Sequence, residues 1–136
     1  MLRPVRRSLV AVLLVAAAVS GCGDSGPSDT EQVHATVEAF GQATAAKDYQ
    51  RLCDDVLAPA LISKLEQVGL PCEVALKQGL GDVKAPTLTI GKVEVNGDNA
   101  TAEVNSTAQG QQPSRDTLKL QRVKGRWRIA SLADER

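Results

Sequence analysis

Two small groups of side chains in this 136-residue sequence have the types and spacing that acid–base chemistry requires. His34 and Glu38 stand one helical turn apart, and Asp54 and Asp55 are adjacent. Each pair could place a proton acceptor beside a second polar group. The same spacings are typical of solvated helix surfaces, and we favour that interpretation for both pairs. Because the sequence also lacks Gly-x-Ser-x-Gly, a phosphate-binding Gly-rich loop and His-Glu-x-x-His, it predicts no catalytic residues.

The first 22 residues have the pattern of an export signal. Three arginines fall within the first seven residues, and an apolar run of eleven residues follows from Leu9 to Val19. That run is shorter than the roughly 20 residues that span a bilayer, and it fits a secretory signal core. Val19-Ser20-Gly21-Cys22 resembles the bacterial lipobox, which implies a diacylglyceryl group on the sulfur of Cys22 and cleavage just before it.

This resemblance divides the chain into three parts. Residues 1–21 are predicted to be a lipoprotein signal peptide, residues 22–28 a lipidated tether, and residues 29–136 one folded domain. The tether is rich in Gly, Ser and Asp, as flexible linkers are. We therefore expect a lipid-anchored protein on the extracytoplasmic face of a bacterial cell membrane. The alternative is an ordinary secretory signal in which Cys22 has no special role.

Two further cysteines, Cys53 and Cys72, remain after Cys22 is assigned to lipid. An even pair in an exported protein favours a disulfide bond. Free thiols are the alternative. A metal site is a remote third, because the sequence has no Cys-x-x-Cys and His34 is its only histidine. We predict no metal and no cofactor.

Composition limits the partners of the mature protein. Without its first 21 residues the chain keeps 13 basic and 16 acidic side chains, so no basic surface for nucleic acid is expected. Only Phe40, Tyr49 and Trp127 are aromatic, which leaves little for stacking on bases or sugars.

Helices are predicted in the first half of the domain. Ser28 and Glu31 have the spacing of a capping box, and Asp48 can cap a second helix. A third helix is expected from Pro59 to about Gly69, and a fourth over Cys72–Leu80. The apolar side of the third helix is expected to be buried through Leu61, Ile62, Leu65 and Val68.

The apolar period changes from 3.6 to 2 after Pro86, which predicts strands. A change of phase at Gly91 indicates a β-bulge, and Asn96-Gly97-Asp98-Asn99 predicts a tight turn. A second hairpin should turn at Lys124-Gly125. With that turn, Arg122 meets Trp127, Leu120 meets Ile129 and Leu118 meets Ser131. The strand carboxylates Glu94, Glu103 and Asp116 are expected to lie out of phase with the apolar runs.

Arg122 should lie against the indole of Trp127, a contact of about 0.5–1 kcal/mol where it is exposed. It could bind an anion there. We favour a rim residue whose aliphatic part covers apolar surface while its charge stays in water.

Helices followed by a bent meander resemble the nuclear transport factor 2-like superfamily, which includes SnoaL-like cyclases, ketosteroid isomerase and scytalone dehydratase. The likeness rests on Val37–Phe40 and Ala45–Tyr49, which resemble the first helix and its step into the second. It also rests on Val123–Ile129, which resembles the closing hairpin with its inward Trp. The resemblance implies an α+β domain in which N-terminal helices pack on a curved four-stranded antiparallel sheet in the shape of a cone. It also implies a pocket lined by Val37, Phe40, Tyr49, Leu52, Val93, Val104, Leu118, Leu120, Trp127 and Ile129.

The interior implied by this resemblance carries no group that moves a proton at neutral pH. Tyr49 is its best polar candidate, as a hydrogen-bond donor. We therefore expect a non-catalytic domain that binds a small apolar ligand or another envelope protein. The alternative is an enzyme of the cyclase, isomerase or dehydratase type.

Overall fold

The structure of the protein is a computed structural model, and it describes residues 26–132. The predicted signal peptide, Cys22 and most of the tether lie outside the described residues. Helices come first, α1 (Asp29–Ala46), α2 (Tyr49–Arg51), α3 (Pro59–Gln67) and α4 (Cys72–Leu80). Four strands follow, β1 (Thr87–Asn96), β2 (Asn99–Thr107), β3 (Ser114–Val123) and β4 (Arg126–Ser131). In the part of the chain that is described, no helix combines the length and the apolar character needed to cross a membrane.

Helix α1 begins at the predicted capping box. The Ser28 hydroxyl accepts a hydrogen bond from the Glu31 N–H at 3.2 Å, and the Glu31 carboxylate accepts one from the Ser28 N–H at 2.7 Å. The helix ends at Lys47, whose left-handed backbone (φ 55°) lets its N–H reach the last carbonyls. Val33 and Val37 are fully buried, so this helix carries one side of the core.

The predicted second helix is more irregular than expected. After Asp48 caps α2, the chain widens into a π-helical segment, Leu52–Val56, in which the Leu57 N–H donates to the Leu52 carbonyl at 2.9 Å. The wider turn buries both Leu52 and Cys53, which are adjacent in sequence. Asp54 and Asp55 point to solvent from the other side.

Helices α3 and α4 are amphipathic and lie at the periphery of the core. Leu61, Ile62 and Leu65 are half-buried, but Val68 is 71% exposed. The expectation that Val68 belongs to the buried face is therefore wrong. Its reason is that α3 ends at Gln67, and Gly69 (φ 78°) then turns the chain away.

The sheet is an antiparallel meander in the order β1-β2-β3-β4. Its β1–β2 register shifts between Ile90 and Val93, which confirms the bulge at Gly91. A Cβ at Gly91 would lie 3.4 Å from the Glu103 side chain of β2, in ordinary contact. The β3–β4 turn at Lys124-Gly125 has positive φ at both positions, as a type I′ turn requires.

The predicted β3–β4 register is correct near the turn and wrong beyond it. Arg122 pairs with Trp127 and Leu120 with Ile129, but Ser131 pairs with Lys119 rather than with Leu118. One extra residue on β4, Ala130, lies between these pairs, so a second bulge bends the sheet at this point.

Hydrogen bonds link the helical half of the domain to β4. Leu57 forms a parallel bridge with Ile129, and the Ala58 N–H donates to the Ile129 carbonyl at 2.8 Å. The Thr36 hydroxyl hydrogen-bonds the Trp127 carbonyl at 3.2 Å. The predicted disulfide is present: Cys53 and Cys72 are bonded, with Cα atoms 6.1 Å apart, and join the π-helical segment to the start of α4.

Candidate functional site

A cavity of about 500 Å³ opens between the helices and one end of the sheet. Its wall comes from the second half of α1, from α3 and α4, from the β1 residues near Thr87, and from the residues flanking the β2–β3 loop. The apolar part of this wall consists of Phe40, Leu57, Leu61, Leu65, Ala75, Leu76, Leu80, Val83, Pro86, Leu88, Val104, Ala108, Leu118 and Leu132.

One stretch of the wall is polar and lies on the sheet. Ser106 and Ser114 are paired across β2 and β3, and their hydroxyl oxygens are 2.7 Å apart. The Ser114 hydroxyl donates to a carboxylate oxygen of Asp116 at 2.8 Å. We call these three residues the Ser–Ser–Asp cluster.

The position of Asp116 corrects the expectation that all three strand carboxylates lie off the apolar face. Asp116 pairs with the buried Val104 and stands two residues before Leu118 and four before Leu120, on the same face. Glu94 and Glu103 pair instead with threonines and are exposed. Alternation along β3 from Leu120 back to Asp116 was the signal that should have placed this carboxylate inside.

Asp116 is the only Asp, Glu, Lys or Arg among the described residues that line the cavity. Its side chain forms no ion pair with any described residue. The other polar residues of the described wall are Thr44, Thr87, Thr107, Gln111 and Gln112. The Thr44 hydroxyl oxygen is buried without a hydrogen-bond partner among the described residues.

The predicted pocket residues divide into three groups. Phe40, Val104 and Leu118 line the cavity. Four others are buried in the packed core and do not line it: Val37, Leu52, Leu120 and Ile129. Tyr49 and Val93 are half-buried beside that core, and Trp127 borders a different cleft.

Most of the remaining cavity wall was not predicted. Helices α3 and α4 supply Leu61, Leu65 and Leu76, whose spacing indicated an apolar face without showing that it faces open space. The acid–base candidates lie elsewhere: His34 and Glu38 are on α1 outside the cavity wall, and Asp54 and Asp55 are exposed.

Tyr49 does not act as the predicted inward donor within the described chain. Its hydroxyl oxygen is buried, yet it has no hydrogen-bond partner among residues 26–132, and the side chain is not part of the cavity wall.

Arg122 is held at the opposite end of the sheet from the cavity. Its guanidinium lies 4.8 Å from the centre of the Trp127 ring, which confirms the predicted contact. It also pairs with Asp29 of α1 at 2.7 Å and approaches Asp98 of the β1–β2 turn to 3.5 Å. Because two carboxylates already balance its charge, the side chain links elements and leaves little capacity for an anion.

A second, shallower cleft of about 380 Å³ lies beside Trp127. Arg51, Asp55 and Arg126 border it, and the Arg126–Asp55 pair is loose at 4.0 Å. Its charged side chains face water. Among the described residues, no group of three or more His, Cys, Asp or Glu side chains is arranged to hold a metal ion.

No protein-family model and no curated protein sequence matches this chain. Solved structures do match its fold. An NTF2-like protein of unknown function from Silicibacter pomeroyi superposes with a TM-score of 0.55 at 20% identity, over 74% of this chain and 89% of that one. An NTF2-like protein of unknown function from Shewanella baltica gives 0.54 at 12% identity, over 78% and 94%.

A de novo designed NTF2 fold protein gives a TM-score of 0.54 at 16% identity, over 81% of this chain and 90% of that one. The described residues therefore have the NTF2-like fold, with four helices packed on an open four-stranded antiparallel sheet. The sequence identities are too low for the likeness to extend beyond the fold.

Proposed function

We propose that this protein is a lipid-anchored, extracytoplasmic binding protein whose cavity takes a small, largely apolar ligand. The observation that carries the binding role is the cavity itself. Its volume of about 500 Å³ lies within the roughly 300–1,000 Å³ typical of small-molecule sites. A mainly apolar wall with a few polar groups is also the usual composition of such sites.

The proposed anchor rests on the sequence of residues 1–22. A basic start, an eleven-residue apolar run and Val19-Ser20-Gly21-Cys22 occur in the order that lipoprotein export uses. Two acyl chains hold a protein stably on a membrane, whereas one holds it only marginally. Only a few residues separate Cys22 from Ser28, the cap of α1, so the domain would sit close to the bilayer.

Replacement of Cys22 by Ser tests the anchor. The unaltered protein should fractionate with membranes and show the mass of the lipid in intact-mass analysis, and the Cys22→Ser protein should stay unprocessed or appear in the soluble fraction. Ser25→Ala, three residues later in the tether, is the matched control and should behave like the unaltered protein. An unmodified Cys22 in the exported protein would refute the anchor.

A neutral naphthalene dye that fluoresces in apolar surroundings tests the cavity. Ala75 of α4 lines the cavity, and its neighbour Val74 is exposed and does not. Ala75→Phe fills part of the space and should weaken dye binding at least tenfold, whereas Val74→Phe should leave it unchanged. Equal dye binding by the two variants, or no binding by the unaltered protein, would contradict a ligand site at this position.

One observation favours an enzyme as the second candidate. Asp116 is a carboxylate in a largely apolar cavity, and a single such group can remove a proton and return it, as in ketosteroid isomerases. Nuclear magnetic resonance of a small bound ketone in deuterated water would reveal exchange at the carbon beside the carbonyl. Exchange that the protein accelerates and that Asp116→Asn abolishes would establish this candidate over simple binding.

A further inference from the structure

The Ser–Ser–Asp cluster contains one negative charge and a defined supply of hydrogen-bond donors. Ser114 has a single hydroxyl hydrogen and gives it to Asp116. In the 2.7 Å contact between the two serines, Ser114 must therefore be the acceptor and Ser106 the donor. Both hydroxyl hydrogens are thus committed within the cluster.

The cluster therefore has only hydrogen-bond acceptors left for a ligand. The second carboxylate oxygen of Asp116 has no partner among the described residues, and the serine oxygens keep free lone pairs. A ligand carboxylate or carbonyl would meet oxygen lone pairs and a like charge there. A ligand group with several N–H donors would instead find hydrogen-bond acceptors there.

The negative charge of Asp116 favours a positively charged donor group over a neutral one. Asp116 is the single Asp, Glu, Lys or Arg among the described residues of the wall, and no described cation forms an ion pair with it. Asp116 is half-buried, with Val104 and Leu118 on one side and the exposed Ser114 on the other, so water screens its charge only in part. An ammonium group supplies the opposite charge and three donors with no acceptor.

We infer that the ligand is an amphipathic amine, with a protonated amino group on the Ser–Ser–Asp cluster and an apolar body against the leucines of α3 and α4. This inference rests on the proposed binding function of the same cavity. It adds the chemical class of the ligand, which the apolar wall alone does not specify.

A matched series of octylamine, octanol and octanoate tests the inference, each competing with the neutral dye for the cavity. The protein beginning at Gly23 serves for this, because every described element lies within residues 26–132 and packs into one core. Octylamine should bind at least tenfold more tightly than octanol, and octanoate should bind most weakly.

Asp116→Asn should remove the advantage of octylamine while octanol changes no more than about twofold. Glu103→Gln is the matched control, since it removes one carboxylate from the exposed face of the neighbouring strand β2 and should keep the preference. Asp116→Ser also removes the carboxylate and should lose the same preference, which excludes an effect specific to the Asn amide. Its melting temperature shows whether it is folded.

The outcomes separate the two proposals. Octanol binding without any preference for octylamine, or a preference that survives Asp116→Asn, overturns the amine inference and leaves the cavity as a ligand site. If neither the dye nor any of the three competitors binds, the proposed binding function fails and the amine inference fails with it.

Discussion

The two ends of the sheet differ, although the same strands and the same helix α1 run through both. At the packed end, Val33, Val37, Leu120, Trp127 and Ile129 are almost completely buried against one another. At the open end, Phe40, Thr44, Val104, Ser106 and Asp116 line the cavity. One scaffold thus holds a closed core at one end and an empty volume at the other.

The difference follows from the size and polarity of the inward side chains. The core at the packed end combines the indole from β4 and Leu52 from the π-helical segment with the small Ala100 and Ala102. At the open end, Gly41 of α1 and Ser106 and Ser114 of the sheet leave that volume unfilled. Binding capacity in this fold therefore depends on a few small inward residues at one end.

The largest expected effect comes from Leu118 and Leu120, which share one face of β3 and are each 2% exposed. Leu120→Ala empties space in the packed core and should lower the free energy of unfolding by about 4 kcal/mol. Leu118→Ala removes contacts on one side only, since the cavity is already on the other, and should cost about 2 kcal/mol. Denaturant unfolding measures both decreases in the free energy of unfolding. Equal decreases would contradict the difference in packing between the two ends.

Reduction of the Cys53–Cys72 disulfide should act mainly on the open end. The bond closes a segment whose ends are 19 positions apart and stabilises by about 3 kcal/mol in the chain-entropy treatment. Helix α4 buries only Cys72 and Leu76, so it has few other contacts to hold it. Amide hydrogen exchange in the reduced protein should accelerate in α4 while β3 and β4 keep their protection.

The matched double variant Cys53→Ser and Cys72→Ser separates reduction from side effects of the reductant. Uniform acceleration across the sheet in that variant would show that the bond stabilises both ends alike.

A smaller, stabilising effect is expected at Gly41. It is in the interior of α1, where Ala is favoured over Gly by about 0.5–1 kcal/mol. A methyl group there would lie 3.4 Å from the Leu88 side chain, in ordinary contact, and would narrow the cavity. Gly41→Ala should raise the melting temperature and weaken dye binding.

The smallest effect concerns the capping box at the packed end. Hydrogen bonds from the backbone N–H and then the hydroxyl of Ser28 lower the pKa of Glu31 below its ordinary value. A lowered folded-state pKa contributes stability above the unfolded value, and this contribution is lost as the pH falls through the folded one. Glu31→Ala should therefore lower the melting temperature slightly at neutral pH and not at a pH of about 2.

Glu38→Ala on the same helix is the control, because Glu38 has no part in the cap. A deficit of Glu31→Ala that persists unchanged in acid would show that the carboxylate charge is not what stabilises the helix end.

The sequence predicted those elements that local chemistry determines. Ser28 and Glu31 cap α1 through contacts within four residues, and the turn at Lys124-Gly125 needs a backbone that Gly adopts easily. The cysteine pair also followed from parity. For the cap and the turn, residues near in sequence carry the whole signal, whereas the two cysteines are 19 positions apart and were paired by parity alone.

Features that depend on distant packing were harder to predict. Ala130 is the additional residue of a bulge on β4, where the sheet bends, and no glycine or turn sequence beside it indicates that bulge. The division of apolar residues between core and cavity depends on what faces them across the fold, so Leu120 and Leu118 have the same local pattern and different roles. Asp116 differs from these residues, since strand alternation alone indicates the inner face, yet it was wrongly predicted to lie out of phase with the apolar runs.

The Arg122 contacts also determine how the domain responds to force. A pull on the chain ahead of Ser28 enters the fold at the first turn of α1, where the capping box closes the helix and Asp29 is bound to Arg122. The Arg122 backbone N–H is in turn bound to the Asp98 carbonyl at 2.8 Å, so the load passes into both hairpins. A pull at this end therefore acts on the capping box and on the ion pair between α1 and β3 together.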